Sequence, residues 1–149
     1  MRIIAGNYKG KNLFTPKSND VRPTGDRARE AVLSILNSNF VDAWEDVNLL
    51  DVFAGTGAFA LEAVSRGAKD VCMIDKDTAL CTKNAELFPK EKSKIKIVRS
   101  NVMNLQNSLK TYYIVFLDAP YNQGLSSKAL IELKNKKWIN ENSICIVEI

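Results

Sequence analysis

The chain contains no histidine. That absence removes Ser-His-Asp and Cys-His catalysis, and with them every metal site that needs an imidazole. Cysteine is scarce as well. Cys72, Cys81 and Cys145 are odd in number, far apart and flanked by apolar residues. They read as buried thiols rather than as a disulfide framework or a zinc site, and no metal is expected. No apolar run approaches the roughly 18 residues of a membrane span. The first nine residues lack the apolar block and cleavage site of a signal peptide. A cytoplasmic protein with no membrane partner is expected. Repeats and low-complexity stretches are absent too, and 149 residues suit one domain.

Charge is present but unevenly placed. Residues 1–30 hold seven Lys/Arg against three acids, whereas the rest of the chain balances at 14 of each. A basic N-terminal patch on a neutral body suits an anionic partner docking at one end. The same segment reads as two extended pieces around a turn at Tyr8-Lys9-Gly10-Lys11, then a polar connector. Residues 1–24 are thus taken as hairpin and connector, and 25–149 as the core of the same domain. Thr24 is placed to cap a following helix. In that helix Ala28, Ala31, Val32, Ile35 and Leu36 repeat at helical spacing and predict one apolar stripe.

From residue 49 the pattern alternates. Apolar strands are predicted over 49–53, 71–74, 95–98, 112–117 and 144–149. Helices are predicted over 58–66, 78–88 and 127–134. Strands that are apolar almost throughout, alternating with helices, argue for an α/β fold: a mostly parallel sheet covered by helices on both faces.

Three motifs follow the strands. The first is Asp51-Val52-Phe53-Ala54-Gly55-Thr56-Gly57, between a strand and a helix. Its glycines permit a tight turn and close approach of a ligand, and the helix start behind it offers free amide donors. Gly55-x-Gly57-x-x-Ala60 also fits a dinucleotide fingerprint, so NAD stays open at this step. The second is Asp75, eighteen residues past Gly57, where a carboxylate can accept both ribose hydroxyls of an adenosine ligand; Lys76 follows it. Asp51 favours S-adenosylmethionine over NAD, because an acid beside a pyrophosphate would repel it but can face a sulfonium ligand.

The third is Asp118-Ala119-Pro120-Tyr121, directly after a strand. An exocyclic amine of a base is a poor nucleophile, since its lone pair is delocalised into the ring. Asp118 can accept one of its hydrogens and the Ala119 carbonyl the other, which aims the lone pair at a methyl donor. Tyr121 can stack on a base taken out of its helix. Catalysis of this kind is mainly positioning.

The block Arg2-Ile3-Ile4-Ala5-Gly6, Gly10-Lys11 and Val21-Arg22-Pro23-Thr24-Gly25-Asp26-Arg27-Ala28-Arg29-Glu30 resembles the bacterial 16S ribosomal RNA guanine-N2 methyltransferases of the RsmD type. So do Asp51-x-Phe-Ala-Gly-Thr-Gly57 and Asp118-x-Pro-Tyr121. The resemblance implies a Rossmann-like class I methyltransferase fold of seven strands. It implies S-adenosylmethionine as donor, held by Asp51, Phe53, Ala54, Gly55, Thr56, Gly57, Asp75, Lys76, Asn101 and Val102. It implies a guanine of ribosomal RNA, or of the assembling small subunit, as acceptor. Arg2, Lys9, Lys11, Arg22, Thr24 and Arg27 would then face the RNA.

Three positions depart from the family pattern. Ala119 replaces a proline of the usual Asp-Pro-Pro-Tyr, which keeps the carbonyl acceptor and loses a stiffening ring. Asn101 stands where an acid often binds the adenine amine, and its side-chain oxygen or the Val102 backbone is expected to serve instead. The sequence reaches Glu148-Ile149 inside the fifth strand, so the last strands are expected to be missing. A shortened product, poorly active or completed by self-association through that strand, is the corresponding expectation. Two other readings stay open: adenine-N6 methylation of DNA or RNA, and a non-catalytic RNA-binding or ribosome-assembly protein.

Overall fold

The structure, a computed structural model, describes residues 1–17, 25–120 and 124–148. Five parallel strands form its sheet: β1 (Asn48–Val52), β2 (Asp70–Asp75), β3 (Ile95–Arg99), β4 (Ile114–Leu117) and β5 (Ile144–Val147). Their order is β3-β2-β1-β4-β5. The central strands are buried almost end to end, which is why their sequences are apolar without alternation.

Four helices cover the sheet: α1 (Asp26–Asn39), α2 (Ala58–Ser65), α3 (Ala79–Ala85) and α4 (Leu125–Asn135). One face of the sheet (Leu49, Val71, Met73, Ile114, Phe116) packs with α1, α2, α3 and the N-terminal segment. The other face (Leu50, Val52, Cys72, Ile74, Val115, Leu117) packs with α4 and Trp138. Every residue of α2 is buried, because the helix is held between the sheet and the N-terminal segment. The chain builds outward from β1 in one direction, then returns to β4 and builds in the other. The reversal lies between β1 and β4, and open sheets of this kind bind ligands outside the strand ends at such a point.

The N-terminal segment folds back on itself with one antiparallel bridge, Arg2 to Asn12, and bonds from Ile3 N to Lys11 O and from Gly10 N to Ile3 O. It is fastened to α2 by the helix's polar residues. Glu62 accepts the backbone N–H groups of Ile4 (2.9 Å) and Ala5 (3.0 Å). The Ser65 hydroxyl accepts from Tyr8 N and donates to the Ala5 carbonyl. Gly6, with φ +88°, passes so close to the Ser65 backbone that a side chain has no room there.

Helix α1 departs from its predicted stripe. Its buried residues are Arg29, Leu33 and Leu36, while Ala28 and Ala31 are exposed and Ile35 is 56% exposed. The inward face is therefore turned about one position, because Arg29 points inside to meet the buried Glu62. Its N-cap residue is Gly25, with no side-chain cap bond, and the predicted cap Thr24 lies outside the described residues. Strand β1 ends at Val52 rather than Phe53, and β4 begins at Ile114 rather than at residue 112. Tyr112 is buried all the same, stacked on Trp138. Cys72 and Cys81 are buried free thiols, pushed up to about 11 and about 12 by burial; Cys145 is half-buried.

Candidate active site

A cleft of about 1240 Å³ opens at the carboxyl ends of β1, β2 and β4. It brings together most of the sequence-predicted cofactor and catalytic residues. Asp51, Phe53, Ala54, Gly55, Thr56, Asp75, Lys76, Asn101 and Val102 all line it, as do Asp118, Ala119 and Pro120. Gly57 stands behind the loop as the N-cap of α2. Tyr121, Arg22 and Thr24 lie outside the described residues.

The loop after β1 is shaped by its backbone. Gly57 has φ +79°, and a Cβ there would meet Met73 Sδ at 2.7 Å and Cys81 Cβ at 3.1 Å. Only glycine lets α2 start so close to β2 and α3. Phe53 also adopts a left-handed φ, +62°, without being glycine. Such a conformation costs on the order of 1–3 kcal/mol and is typical of ligand sites. The sequence carries no signal for it. Asp75 holds the loop from the side: its Oδ2 accepts Gly55 N at 2.8 Å and its Oδ1 accepts Asp77 N at 3.2 Å.

Asp51 takes a position that the sequence did not predict. Its Oδ2 accepts the N–H of Ala60 at 3.3 Å, so it caps the first turn of α2 from inside the sheet. Burial pushes its carboxyl well above the usual carboxylate range; the Ala60 N–H opposes this, and the nearby Asp118 and Asp75 add to it. Asn101 likewise has a local bond, its Oδ1 accepting Met103 N at 3.0 Å. That leaves the second lone pair of this oxygen as the acceptor expected for an adenine amine.

The charge around the cleft is negative. Asp51, Asp75, Asp77, Asp118 and Glu148 line it, against Lys76 and Arg29. A pyrophosphate would meet repulsion here, whereas a ligand carrying a sulfonium and an ammonium meets complementary charge. The residues present therefore fit S-adenosylmethionine, and they disfavour the dinucleotide that the glycine spacing alone left open. Below the acids Phe59 and Phe116 stack at 4.0 Å and make a flat apolar wall.

The profile of the family described as Conserved hypothetical protein 95 matches residues 1–149. Ribosomal RNA small subunit methyltransferase D of Escherichia coli (strain K12) is 35% identical over 99% of this chain and 74% of its own length. The protein of that name from Buchnera aphidicola (subsp. Acyrthosiphon pisum) is 34% identical over 98% of this chain and 76% of its own. This chain belongs to that family. The solved structure of yhhF from Escherichia coli has a TM-score of 0.79 at 32% identity, covering 99% of this chain and 78% of that one. The class I methyltransferase fold implied by the motifs is thus the fold of the chain, and it spans about three quarters of the length of these relatives.

The residues expected to face RNA differ in exposure and place. Arg2, Lys9 and Arg27 are exposed and Lys11 is half-buried. The N-terminal segment runs along α2 with its open end, Met1 and Pro16, at the cleft and its turn beside Ser65. Lys9, next to that turn, therefore stands about one α2 length from the cleft, roughly 12 Å at 1.5 Å per residue. Nearer the cleft is a feature absent from the sequence reading. The buried Asn84 accepts Phe14 N at 2.7 Å and donates to the carbonyls of Phe14 and Thr56. This clamp joins the N-terminal segment to the glycine loop and leaves Phe14 41% exposed, with Lys83 Nζ over its ring at 3.9 Å. An asparagine inside a predicted helix gave no sign of that role.

Proposed function

We propose that this chain transfers a methyl group from S-adenosylmethionine to the exocyclic N2 of a guanine in small-subunit ribosomal RNA, in the cytoplasm. One observation carries the reading: Asp118, Ala119 and Pro120 at the end of β4 line the same cleft as the glycine loop and Asp75. A donor held on one side of the topological reversal and a base held on the other would meet there. The relatives named for methylation of small-subunit ribosomal RNA support the acceptor, and the N-terminal motifs support guanine N2.

The residues divide the work. Asp75 receives the ribose, Asn101 and Val102 the adenine, and Asp51 the positive end of the donor. Bound there, S-adenosylmethionine would supply an electrophilic methyl carbon on a positive sulfur, and the bonding pair would stay on sulfur as N2 took the methyl. The Asp118 carboxylate and the Ala119 carbonyl accept the two N2 hydrogens and fix the lone pair on the line of attack. Methylation makes N2 positive and acidic, so its proton leaves afterwards through Asp118 to solvent. No base strong enough to deprotonate the neutral amine is required.

The test is transfer of labelled methyl to unmethylated small ribosomal subunits, followed by nucleoside analysis. Label is expected in N2-methylguanosine. Asp118→Ala is expected to lower kcat by about 10³-fold, the size of losing a preorganised polar contact to the reacting group, with RNA binding retained. Undiminished transfer by this variant would remove Asp118 from the reaction.

A further inference from the structure

Among the described residues, Glu148 is the one that the β5 side contributes to the cleft, and neither the motifs nor the family resemblance assigns it a role. Its position follows from the register. Leu117 pairs with Val147, and Glu148 N donates to the Leu117 carbonyl at 3.0 Å, which ties Glu148 to the end of β4. Asp118 and Glu148 directly follow the last pair of these adjacent parallel strands, and both line the cleft. The alternation agrees. Ile144 and Ile146 pack on the same face as Phe116, while Cys145 and Val147 pack on the opposite one. By that alternation Glu148 and Asp118 fall on the face of Phe116, and all three line the cleft with Phe59.

Two side-by-side acceptors select among bases. Guanine presents N1–H and N2–H₂ next to each other on one edge. Adenine presents an amine next to a bare N1 lone pair. A carboxylate beside the one that holds N2 would accept N1–H of guanine, and would repel the lone pair of adenine.

We propose that Glu148 accepts the N1–H of the target base and so determines specificity for guanine over bases that carry an unprotonated N1. This rests on the reading of the site given above. Glu148 then serves recognition, while Asp118 holds the reacting amine.

The test separates N1 from N2. The guanine methylated by the wild-type protein is first located by nucleoside mapping, and RNA carrying 2-aminopurine at that position is prepared by ligation. 2-Aminopurine keeps the exocyclic amine but has no N1–H. The wild type is expected to prefer guanine by about 100-fold in kcat/KM, the size of losing one hydrogen bond to a charged group. Glu148→Gln offers an amide N–H to the bare N1 and is expected to bring that ratio below about tenfold, with S-adenosylmethionine binding unchanged in calorimetry. A residue that only supports the strand end would slow both substrates equally. An unchanged ratio in Glu148→Gln, with N2-methylguanosine still formed, overturns this inference alone. Absence of N2-methylguanosine from the wild type overturns the functional reading and this inference with it.

Discussion

Helix α2 has a buried carboxylate near each end, and the two live in opposite surroundings. Glu62, fully buried, accepts two backbone N–H groups and lies 3.2 Å from Arg66 Nε and 3.6 Å from Arg29 Nε. Asp51, 2% exposed, accepts one N–H and has two further aspartates as its charged neighbours. The first charge is neutralised by the protein and ties together α1, α2 and the N-terminal segment. The second, at the wall of a cleft, has aspartates and no cation as its charged neighbours among the described residues. A buried carboxylate surrounded by cations organises the fold, whereas one surrounded by acids suits a cationic ligand.

The strongest way to break this comparison is at Glu62. Glu62→Gln keeps the size but removes the buried charge that Arg29 Nε and Arg66 Nε face. Arg29 keeps Asp26 (3.0 Å) and the Arg2 carbonyl through Nη2, but its buried Nε and Nη1 have no hydrogen bond to replace the charge they face. Breaking a buried pair in this way costs about 3–5 kcal/mol, which for a chain of this length lowers Tm by on the order of 10 °C. Chemical and thermal denaturation measure it. A loss under about 1 kcal/mol would mean that apolar packing alone holds the N-terminal segment.

At Asp51 the opposite result is expected. Asp51→Asn keeps an acceptor for Ala60 N and removes a charge that burial disfavours. In the native state the carboxyl holds its proton above the ordinary carboxylate range, while the unfolded chain has already released it. The native state therefore binds more protons in that window, and its stability falls as pH rises through it. Asp51→Asn should flatten that slope and leave the donor-free protein as stable at neutral pH, or more so. Donor binding should move the other way. A sulfonium ligand favours the ionised carboxylate, so affinity for S-adenosylmethionine should rise with pH over the same window, with proton release on binding. Loss of this carboxylate is expected to weaken binding about tenfold, or about 1.4 kcal/mol. Calorimetry in two buffers of different ionisation enthalpy reads both effects. Equal affinity in wild type and variant would make Asp51 a helix cap and nothing more.

The same contrast explains what the sequence made legible. The glycine loop, Asp75 and Asp118 sit at strand ends, where apolar runs stop and chemistry begins, so their order alone located the cleft. Glu62 sits in Ala58–Ser65, where a single acid among apolar residues resembles a helix's solvated edge. Arg29 was hidden by the alanines beside it, which offered a helical stripe of their own. Both are inside because each satisfies the other and the N-terminal backbone, a relation spanning residues 4, 29, 62 and 66 that no local period encodes. Phe53 was illegible for a different reason: a left-handed φ in a bulky residue is imposed by the surrounding structure and not by its own preference.

The smallest expected effect concerns the basic surface and shows how far the acidic cleft governs RNA binding. Lys9 is exposed near the turn of the N-terminal segment, while Lys83 stands over Phe14 near the cleft. If RNA lies along α2 from cleft to turn, both lysines meet phosphates. Lys9→Ala should then weaken RNA binding a few-fold and reduce the slope of log affinity against log salt by roughly 0.7, the single-strand value for one contact. Methyl transfer at saturating RNA should not change, because Lys9 lies away from the reacting groups. An unaltered slope in Lys9→Ala, with a reduced slope in Lys83→Ala, would confine the RNA to the cleft mouth. In that case Phe14 and Lys83, placed by Asn84, would be its principal contacts outside the cleft.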